Sequence, residues 1–369
     1  MRHLLVTGGA GFIGGNFLHY WLSEHRRDEV TVLDALTYAG NRATLAHVAA
    51  DDRFRFVHGD IADGALVAAL IHDRSIDTIV HFAAESHVDR SIVDPGAFVR
   101  TNVLGTQTLL DAACKAWKSG TDWRSGVRFH HVSTDEVYGS LGPGDDAFTE
   151  RTPYAPNSPY AASKAASDHL VRAYQHTYGL PASISNCSNN YGPFQFPEKL
   201  IPLMIVNALD GKPLPIYGDG RQIRDWLFVR DHCVAIDKII SAEVAGRTFN
   251  VGGRAEHENI HIVGELCALI DARFQSDPTL GQRFPNCPAA RSASCAALIT
   301  TVKDRPGHDR RYAIDPRVIS ESLRFEPSET LHTGLARTVD WYLANEPWWR
   351  GVMDGTYRNW IDRQYGSNG

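Results

Sequence analysis

The chain has 369 residues, more than one hydrophobic core of ordinary size accommodates, so two closely packed domains are expected. Hydrophobic residues make up 43% and charged residues 22%, which excludes a disordered or collagen-like chain. The formal charge of −6 and the lack of any basic run disfavour nucleic-acid binding, which needs a phosphate-neutralising stripe.

In chain order, short apolar β-rich runs alternate with longer segments of helical period. Strands are predicted at His3–Thr7, Val30–Asp34, Phe54–His58, Thr78–His81, Val127–Val132 and Ala182–Ser185. Helices are predicted between them at Phe12–Glu24, Gly64–Asp73, Phe98–Trp117 and Tyr160–Tyr178. Six strands in this alternation predict an α/β fold, a Rossmann-type doubly wound parallel sheet, with a smaller mixed α/β C-terminal substrate domain. After about Asn186 prolines punctuate shorter segments, as in a loop-rich lobe. Helices are expected again at Arg230–Ala242, Ile262–Phe274 and Thr330–Asn345, a strand at Thr248–Val251, and a long surface loop over Gln275–Ala297. The two lobes are expected to interleave: residues 1–187 plus about 225–252 for the dinucleotide domain, and about 188–224 plus 253–369 for the substrate domain.

The segment Gly8-Gly9-Ala10-Gly11-Phe12-Ile13-Gly14 follows a predicted strand and opens a predicted helix, the context in which this glycine spacing is informative. Gly8 suits the tight turn, Gly11 lets a pyrophosphate approach the backbone, and Gly14 allows the helix to pack against the sheet. Asp34 lies 20 residues beyond Gly14, at the end of the second strand, where its carboxylate accepts from an adenosine ribose. That favours NAD over NADP, with Arg42 the one nearby feature that would suit a 2′-phosphate. Asp60 and Ile61 either flank an adenine or form a plain turn.

Tyr160 and Lys164 stand four apart on a predicted helix and project from one face; an ammonium beside a phenol is expected to lower the phenol pKa and make it a base. The fifth strand runs into Ser133-Thr134-Asp135-Glu136-Val137-Tyr138-Gly139, placing two acids at the carboxyl edge of the sheet. The six cysteines contain no C-x-x-C pair, so neither a zinc site nor a redox dithiol is expected, and no metal is assigned. The N-terminal apolar stretch meets glycine too soon for a signal-peptide core, and no apolar run of ~18 residues follows. A cytoplasmic protein without membrane association is therefore expected. Trp348, Trp349 and Trp360 read as packing anchors.

Together with Ala83-Ala84-Glu85-Ser86-His87-Val88-Asp89-Arg90-Ser91, Cys187-Ser188-Asn189-Asn190-Tyr191-Gly192-Pro193, Gln195-Phe196-Pro197-Glu198-Lys199-Leu200, Arg224-Asp225-Trp226 and Asp304-Arg305-Pro306-Gly307-His308-Asp309, these motifs resemble the dTDP-glucose 4,6-dehydratases. Those belong to the extended short-chain dehydrogenase/reductase superfamily, and the resemblance spans nearly the whole chain. It departs at Asn186, where many relatives carry arginine, which bears on packing there. The glycine triplet and the Tyr/Lys pair are superfamily-wide, whereas Asp135-Glu136 is characteristic of the dehydratases.

The resemblance implies tightly bound NAD⁺ regenerated in each turnover, and dTDP-glucose or a related sugar nucleotide as substrate. Tyr160, assisted by Lys164 and Thr134, would take the 4-hydroxyl proton during oxidation at C4. Glu136 would abstract the C5 proton and Asp135 would protonate the departing 6-hydroxyl. Cofactor contacts are implied for Gly8, Gly11, Phe12, Ile13, Gly14, Asp34, Thr37, Asp60, Ile61, Ala83, Ala84, Thr101, Tyr160, Lys164 and Asn190. Substrate contacts are implied for Ser86, Asn189, Lys199, Leu200, Pro215, Tyr217, Arg224, Asn259, Arg305 and His308. A homodimer is implied, its four-helix interface including the Tyr/Lys helix. Competing readings are a dehydratase for UDP- or GDP-sugars, a 4-epimerase or decarboxylase that shares the first oxidation, and a non-catalytic NAD-binding protein.

Overall fold

A computed structural model describes residues 1–242, 244–304 and 308–353. Its centre is a seven-stranded, wholly parallel sheet. Across the sheet the strands run Thr248–Val251, Ala182–Cys187, Arg128–Thr134, Thr78–His81, His3–Thr7, Glu29–Asp34 and Phe54–His58. The order reverses at His3–Thr7, which pairs with Glu29–Asp34 on one side and Thr78–His81 on the other. Carboxyl ends diverge there and leave the crevice in which such sheets bind ligands. The strands are buried on both faces, as a parallel sheet requires: Leu5, Ile79, Phe129 and Ile184 pack on one side, Leu4, Val6, Val32 and Val80 on the other.

The expected α/β sheet is present with one strand more than the six counted in the first half, because Thr248–Val251 adds in parallel to Ala182–Cys187. The helix Val229–Ser241 returns to the same layer, where Cys233, Ile236 and Ile240 pack with Phe17 and Trp21 of the first helix. Among the described residues three smaller sheets accompany the main one: Leu214–Tyr217 with Ile299–Val302, Glu256–Glu258 with Ile223–Phe228 and Asn189–Tyr191, and a two-residue pair, Lys118–Ser119 with Asp122–Trp123. A separate core gathers Ile201, Met204, Leu266, Ile270, Leu335 and Trp349. Trp349 is fully buried and donates from Nε1 to the Tyr342 carbonyl at 2.9 Å, while Trp348 packs edge-on to Trp341 and Phe194. Trp360 lies outside the described residues.

Two expectations need correction. The single helix expected over Phe98–Trp117 is broken into a short turn, Pro95–Phe98, a π-helical segment, Val99–Gly105, and an α-helix, Thr106–Trp117. The wider π turn accompanies a buried Asn102 that bonds the Glu85 backbone at both N–H and C=O and donates to Ser163 Oγ at 2.8 Å. The expected loop Gln275–Ala297 is instead a run of short turns, Thr279–Arg283, Pro288–Arg291 and Cys295–Leu298. Leu280, Phe284, Cys287 and Cys295 bury against the second core. Turns of four or five residues are too short for a hydrophobic period to register in sequence.

Candidate active site

The Gly8–Gly14 loop leads from the first strand into the helix Phe12–Glu24, whose N-cap, Gly11, offers no side-chain cap and leaves the first amides of the helix free for a ligand. Gly8 has φ +71°, and a Cβ there would stand 2.6 Å from the Ala83 nitrogen. At Gly14 a Cβ would meet the Gly8 carbonyl at 2.4 Å, whereas at Gly11 it would meet only that carbonyl, at 3.3 Å. The loop is thus closed behind Gly14 and open in front of Gly11. Asp34 is held by the Ala10 and Leu36 amides, each at 2.8 Å, one to each carboxylate oxygen. Arg42 lies over the Phe56 ring at 4.8 Å, so its guanidinium already has an aromatic partner.

One cleft runs from this loop to the Tyr160 helix. All the residues expected to contact cofactor line it: Gly8, Gly11, Phe12, Ile13, Gly14, Asp34, Thr37, Asp60, Ile61, Ala83, Ala84, Thr101, Tyr160, Lys164 and Asn190. The set fits a dinucleotide: free helix amides and an uncrowded glycine for the phosphates, and an anchored carboxylate for a ribose.

At the other end the strand Arg128–Thr134 turns into a 3₁₀ turn, Asp135–Tyr138, capped by Thr134, whose Oγ1 accepts from the Glu136 amide at 3.3 Å. The Tyr160 helix, Pro159–Tyr178, starts with Ser158 accepting from the Ala161 amide and a proline in the first turn, and stops at Gly179 in the left-handed conformation. Those two elements bring Thr134, Glu136, Tyr160 and Lys164 to the same cleft wall. Asp135 is buried next to them, 1% exposed, with Oδ1 accepting from the Thr134 hydroxyl at 3.4 Å and Oδ2 without a hydrogen-bond partner among the described residues. Burial, with the charges of Glu136 and Asp225, pushes its carboxyl well above the usual carboxylate range.

The expected lowering of the tyrosine pKa is corrected. Burial and the nearby Glu136 charge drive the Tyr160 phenol above its ordinary value, and burial lowers Lys164 to about 8. Its ammonium donates to the Val132 carbonyl at 2.8 Å. Helical spacing put the two side chains on one face, but desolvation of the phenol outweighs the neighbouring cation.

The residues expected at the substrate divide. Ser86, Asn189 and Lys199 line the cleft, Lys199 Nζ donating to the Ser86 carbonyl at 3.1 Å. Leu200 opens the next helix and packs toward the second core, and Pro215 is buried in the strand paired with Ile299–Val302. Tyr217, Arg224, Asn259 and His308 are not among the residues lining the cleft, although the Arg224 charge acts on Asp135. Tyr217 reaches Asp89 at 3.5 Å and lies edge-on to His308, which pairs with Asp304 at 2.6 Å. Arg224 lies over the Tyr312 ring at 4.2 Å and donates to the Asp309 carbonyl. Asn259 Oδ1 is buried without a hydrogen-bond partner among the described residues. Arg305 falls outside the described residues.

Several cleft residues escaped the sequence reading, among them Tyr38, Gln195, Phe196 and Glu198. Glu198 receives a bond from Arg90 Nε at 3.2 Å, and Arg90 lies over Tyr38 at 3.8 Å. Gln195, Phe196 and Glu198 all stand in the stretch Gln195–Leu200 that carries the resemblance; Tyr38, in the loop after the second strand, carried no local signal.

A family model described as GDP-mannose 4,6 dehydratase matches residues 5–338. A dTDP-glucose 4,6-dehydratase of Xanthomonas campestris pv. campestris (strain B100) is 56% identical over 97% of this chain and 98% of the relative. The chain belongs to the dTDP-glucose 4,6-dehydratase family. A second dTDP-glucose 4,6-dehydratase, from Neisseria meningitidis serogroup B, is 52% identical over the same shares. Among solved structures, the dTDP-glucose 4,6-dehydratase DesIV of Streptomyces venezuelae, with NAD and dTDP bound, matches with TM-score 0.82 at 47% identity, over 95% of this chain and all of that one. An UDP-glucuronic acid 4-epimerase from Bacillus cereus matches with TM-score 0.77 at 27% identity, over 92% of this chain and 98% of that one, so the scaffold is shared with epimerases. What this dehydratase family member holds at its sheet edge is the Asp135-Glu136 pair.

Proposed function

We propose that the chain is an NAD-dependent dTDP-glucose 4,6-dehydratase, a hydro-lyase that converts dTDP-glucose to dTDP-4-keto-6-deoxyglucose and water. The observation that carries this reading is the gathering of Thr134, Glu136, Tyr160 and Lys164 on one wall of a dinucleotide cleft, with a protonation-prone Asp135 next to them.

When bound along the glycine loop, NAD⁺ supplies the oxidant for sugar C4 and the reductant for C6. Tyr160 takes the proton of the sugar 4-hydroxyl, with Thr134 and Lys164 holding the phenol and its developing charge. The resulting ketone acidifies C5–H. Glu136 removes that proton, and Asp135, kept in its acid form by burial beside Glu136 and Asp225, gives its proton to the departing 6-hydroxyl so that water leaves. Glu136 returns a proton to C5 as C6 is reduced. Two adjacent acids are required because one must be ionised while the other is protonated. Ser86, Asn189 and Lys199 are placed to contact the sugar nucleotide from the cleft; contacts from Leu200, Pro215, Tyr217, Arg224, Asn259, Arg305 and His308 are what the resemblance to the dehydratases implies.

The dinucleotide domain comprises residues 1–187 with about 225–252, and the sugar-nucleotide domain the rest. The enzyme acts in the cytoplasm; among the described residues no helix is long and apolar enough to cross a membrane. It functions as a homodimer through the Tyr160 helix and its neighbour, next to which Ile92, Val93, Val99 and Leu104 stand exposed. Sedimentation showing only monomer at micromolar concentration would remove that part of the proposal.

The deciding experiment incubates the protein with dTDP-, UDP- and GDP-glucose and follows formation of the dehydrated 4-keto sugar by mass spectrometry. Loss of water from dTDP-glucose is expected, with preference over the uridine analogue of about 10-fold or more from the single thymine methyl. A 4-epimer released without loss of water would replace this reading with the epimerase one.

A further inference from the structure

One helical turn beyond Lys164, on the same face, lies a second ionisable residue to which the reaction above assigns no part: Asp168, with no exposed surface. Its Oδ1 is 3.2 Å from His131 Nε2, and its Oδ2 accepts from the Tyr154 hydroxyl at 2.8 Å and from Asn186 Nδ2 at 3.2 Å. The same His131 nitrogen is 3.4 Å from Lys164 Nζ. Asn186 Nδ2 also donates to the Thr134 carbonyl at 3.1 Å. Arg172 lies over the Tyr154 ring at 4.7 Å and donates to its hydroxyl at 2.6 Å.

A buried ammonium is costly unless an anion or several dipoles face it. The Val132 carbonyl supplies one dipole to Lys164. The titratable groups facing it are His131 on the strand that carries Val132, His81 and Cys187 on the strands to either side, and Asp168 on its own helix. Burial leaves both imidazoles neutral, pushing His131 down to about 4 and His81 well below its ordinary value. It also leaves the Cys187 thiol neutral, raised to about 12. Asp168 differs. Burial opposes its ionisation, yet the contact with His131, the Lys164 charge and the Tyr154 hydroxyl outweigh burial and hold it below the usual carboxylate range. It is therefore the anion of this group.

We propose that Asp168 is a positioning residue for proton transfer at Tyr160: its buried negative charge, one helical turn from Lys164, holds that ammonium protonated, and Asn186 ties the Asp168 carboxylate to the Thr134 end of the catalytic strand. The inference rests on the reading of Tyr160 and Lys164 as the base and its partner. Removing the anion makes it easier for Lys164 to lose its proton, so activity depending on the ammonium is lost earlier as pH rises.

The test is the pH profile of kcat for dTDP-glucose with full-length Asp168→Asn, His131→Gln and Lys164→Met proteins, each checked for bound NAD and for melting temperature. Asp168→Asn that retains NAD is expected to move the alkaline limb of kcat down by about one pH unit or more, with KM little changed. An unmoved limb overturns the proposal, since a purely structural role would lower yield or melting temperature without moving a titration. Should Asp168→Asn fail to hold NAD, His131→Gln decides, because it removes the imidazole contact that most favours the ionised Asp168 carboxylate while leaving the carboxyl group in place: a limb moved in the same direction supports the proposal and an unmoved one overturns it. Lys164→Met separates the two levels of inference. Full activity in that variant removes the Tyr–Lys reading and this proposal with it, whereas a strong loss alongside an unmoved Asp168→Asn limb removes only the role of Asp168.

Discussion

The Tyr138 hydroxyl donates to Asn250 Oδ1 at 2.8 Å, both side chains buried and 112 residues apart in the chain. Tyr138 ends the four-residue 3₁₀ turn that carries Asp135 and Glu136, a piece too short to hold its own conformation. Asn250 lies in the edge strand Thr248–Val251 and is itself fastened by donating from Nδ2 to the Phe148 carbonyl at 2.9 Å. The position of the acid pair therefore depends on the strand added last to the sheet. Tyr138→Phe keeps the ring and strands the Asn250 acceptor, at a cost of about 1–3 kcal/mol. A melting temperature lower by several degrees and a reduced kcat with little change in KM are expected; an unchanged melting temperature would show that the bond carries no weight.

The glycine loop yields a paired prediction. Gly14→Ala drives a methyl into the Gly8 carbonyl and the Gly9 Cα, at 2.4 and 2.9 Å, with backbone on both sides unable to yield. Both melting temperature and bound NAD should fall. Gly11→Ala has room in the fold but fills the face open to the pyrophosphate, so NAD content should fall while the melting temperature of the cofactor-free protein holds. Scanning calorimetry with measurement of bound nicotinamide distinguishes the two; equal loss of stability in both variants would contradict the geometry.

Glu136→Gln and Asp135→Asn each remove a proton-transfer group from the elimination and leave the Tyr160 step intact. Each should lower kcat by about 10²- to 10⁴-fold. Bound cofactor should still change absorbance in a single turnover on addition of dTDP-glucose. Absence of that change would place these acids in the first oxidation instead.

Asp135 also carries a stability consequence of definite sign. Its folded pKa is raised by burial and by Glu136 and Asp225, so whatever it contributes to stability is present below the ordinary aspartate value of ~3.9 and is lost as pH rises toward its folded value. Asp135→Asn should therefore melt above the wild type at pH 8, with the difference closing toward pH 4. A variant less stable than the wild type at pH 8 would show that the carboxylate is satisfied in a way that its Oδ2, partnerless among the described residues, does not suggest.

Tyr160→Phe should lower kcat by about 10²- to 10⁴-fold with the fold and the bound NAD unchanged. Turnover at the wild-type rate would require another base for the 4-hydroxyl.

Local pattern was enough to read the first strand, the glycine loop, Asp34 and the Tyr160 helix, because each depends on neighbours within about twenty residues: a turn, a cap, a helical period. Asp135 and Glu136 were legible as a motif, and their chemistry followed from resemblance. Tertiary structure alone decided the rest. It placed Thr248–Val251 beside Ala182–Cys187, folded the segment 275–297 into a core through Leu280, Phe284 and Cys287, and opened a π turn around Asn102. It also reversed the expected sign at Tyr160. Spacing along a helix states which side chains are neighbours, but a pKa depends on how much water the whole fold removes, and that is a property of every element packed around the group.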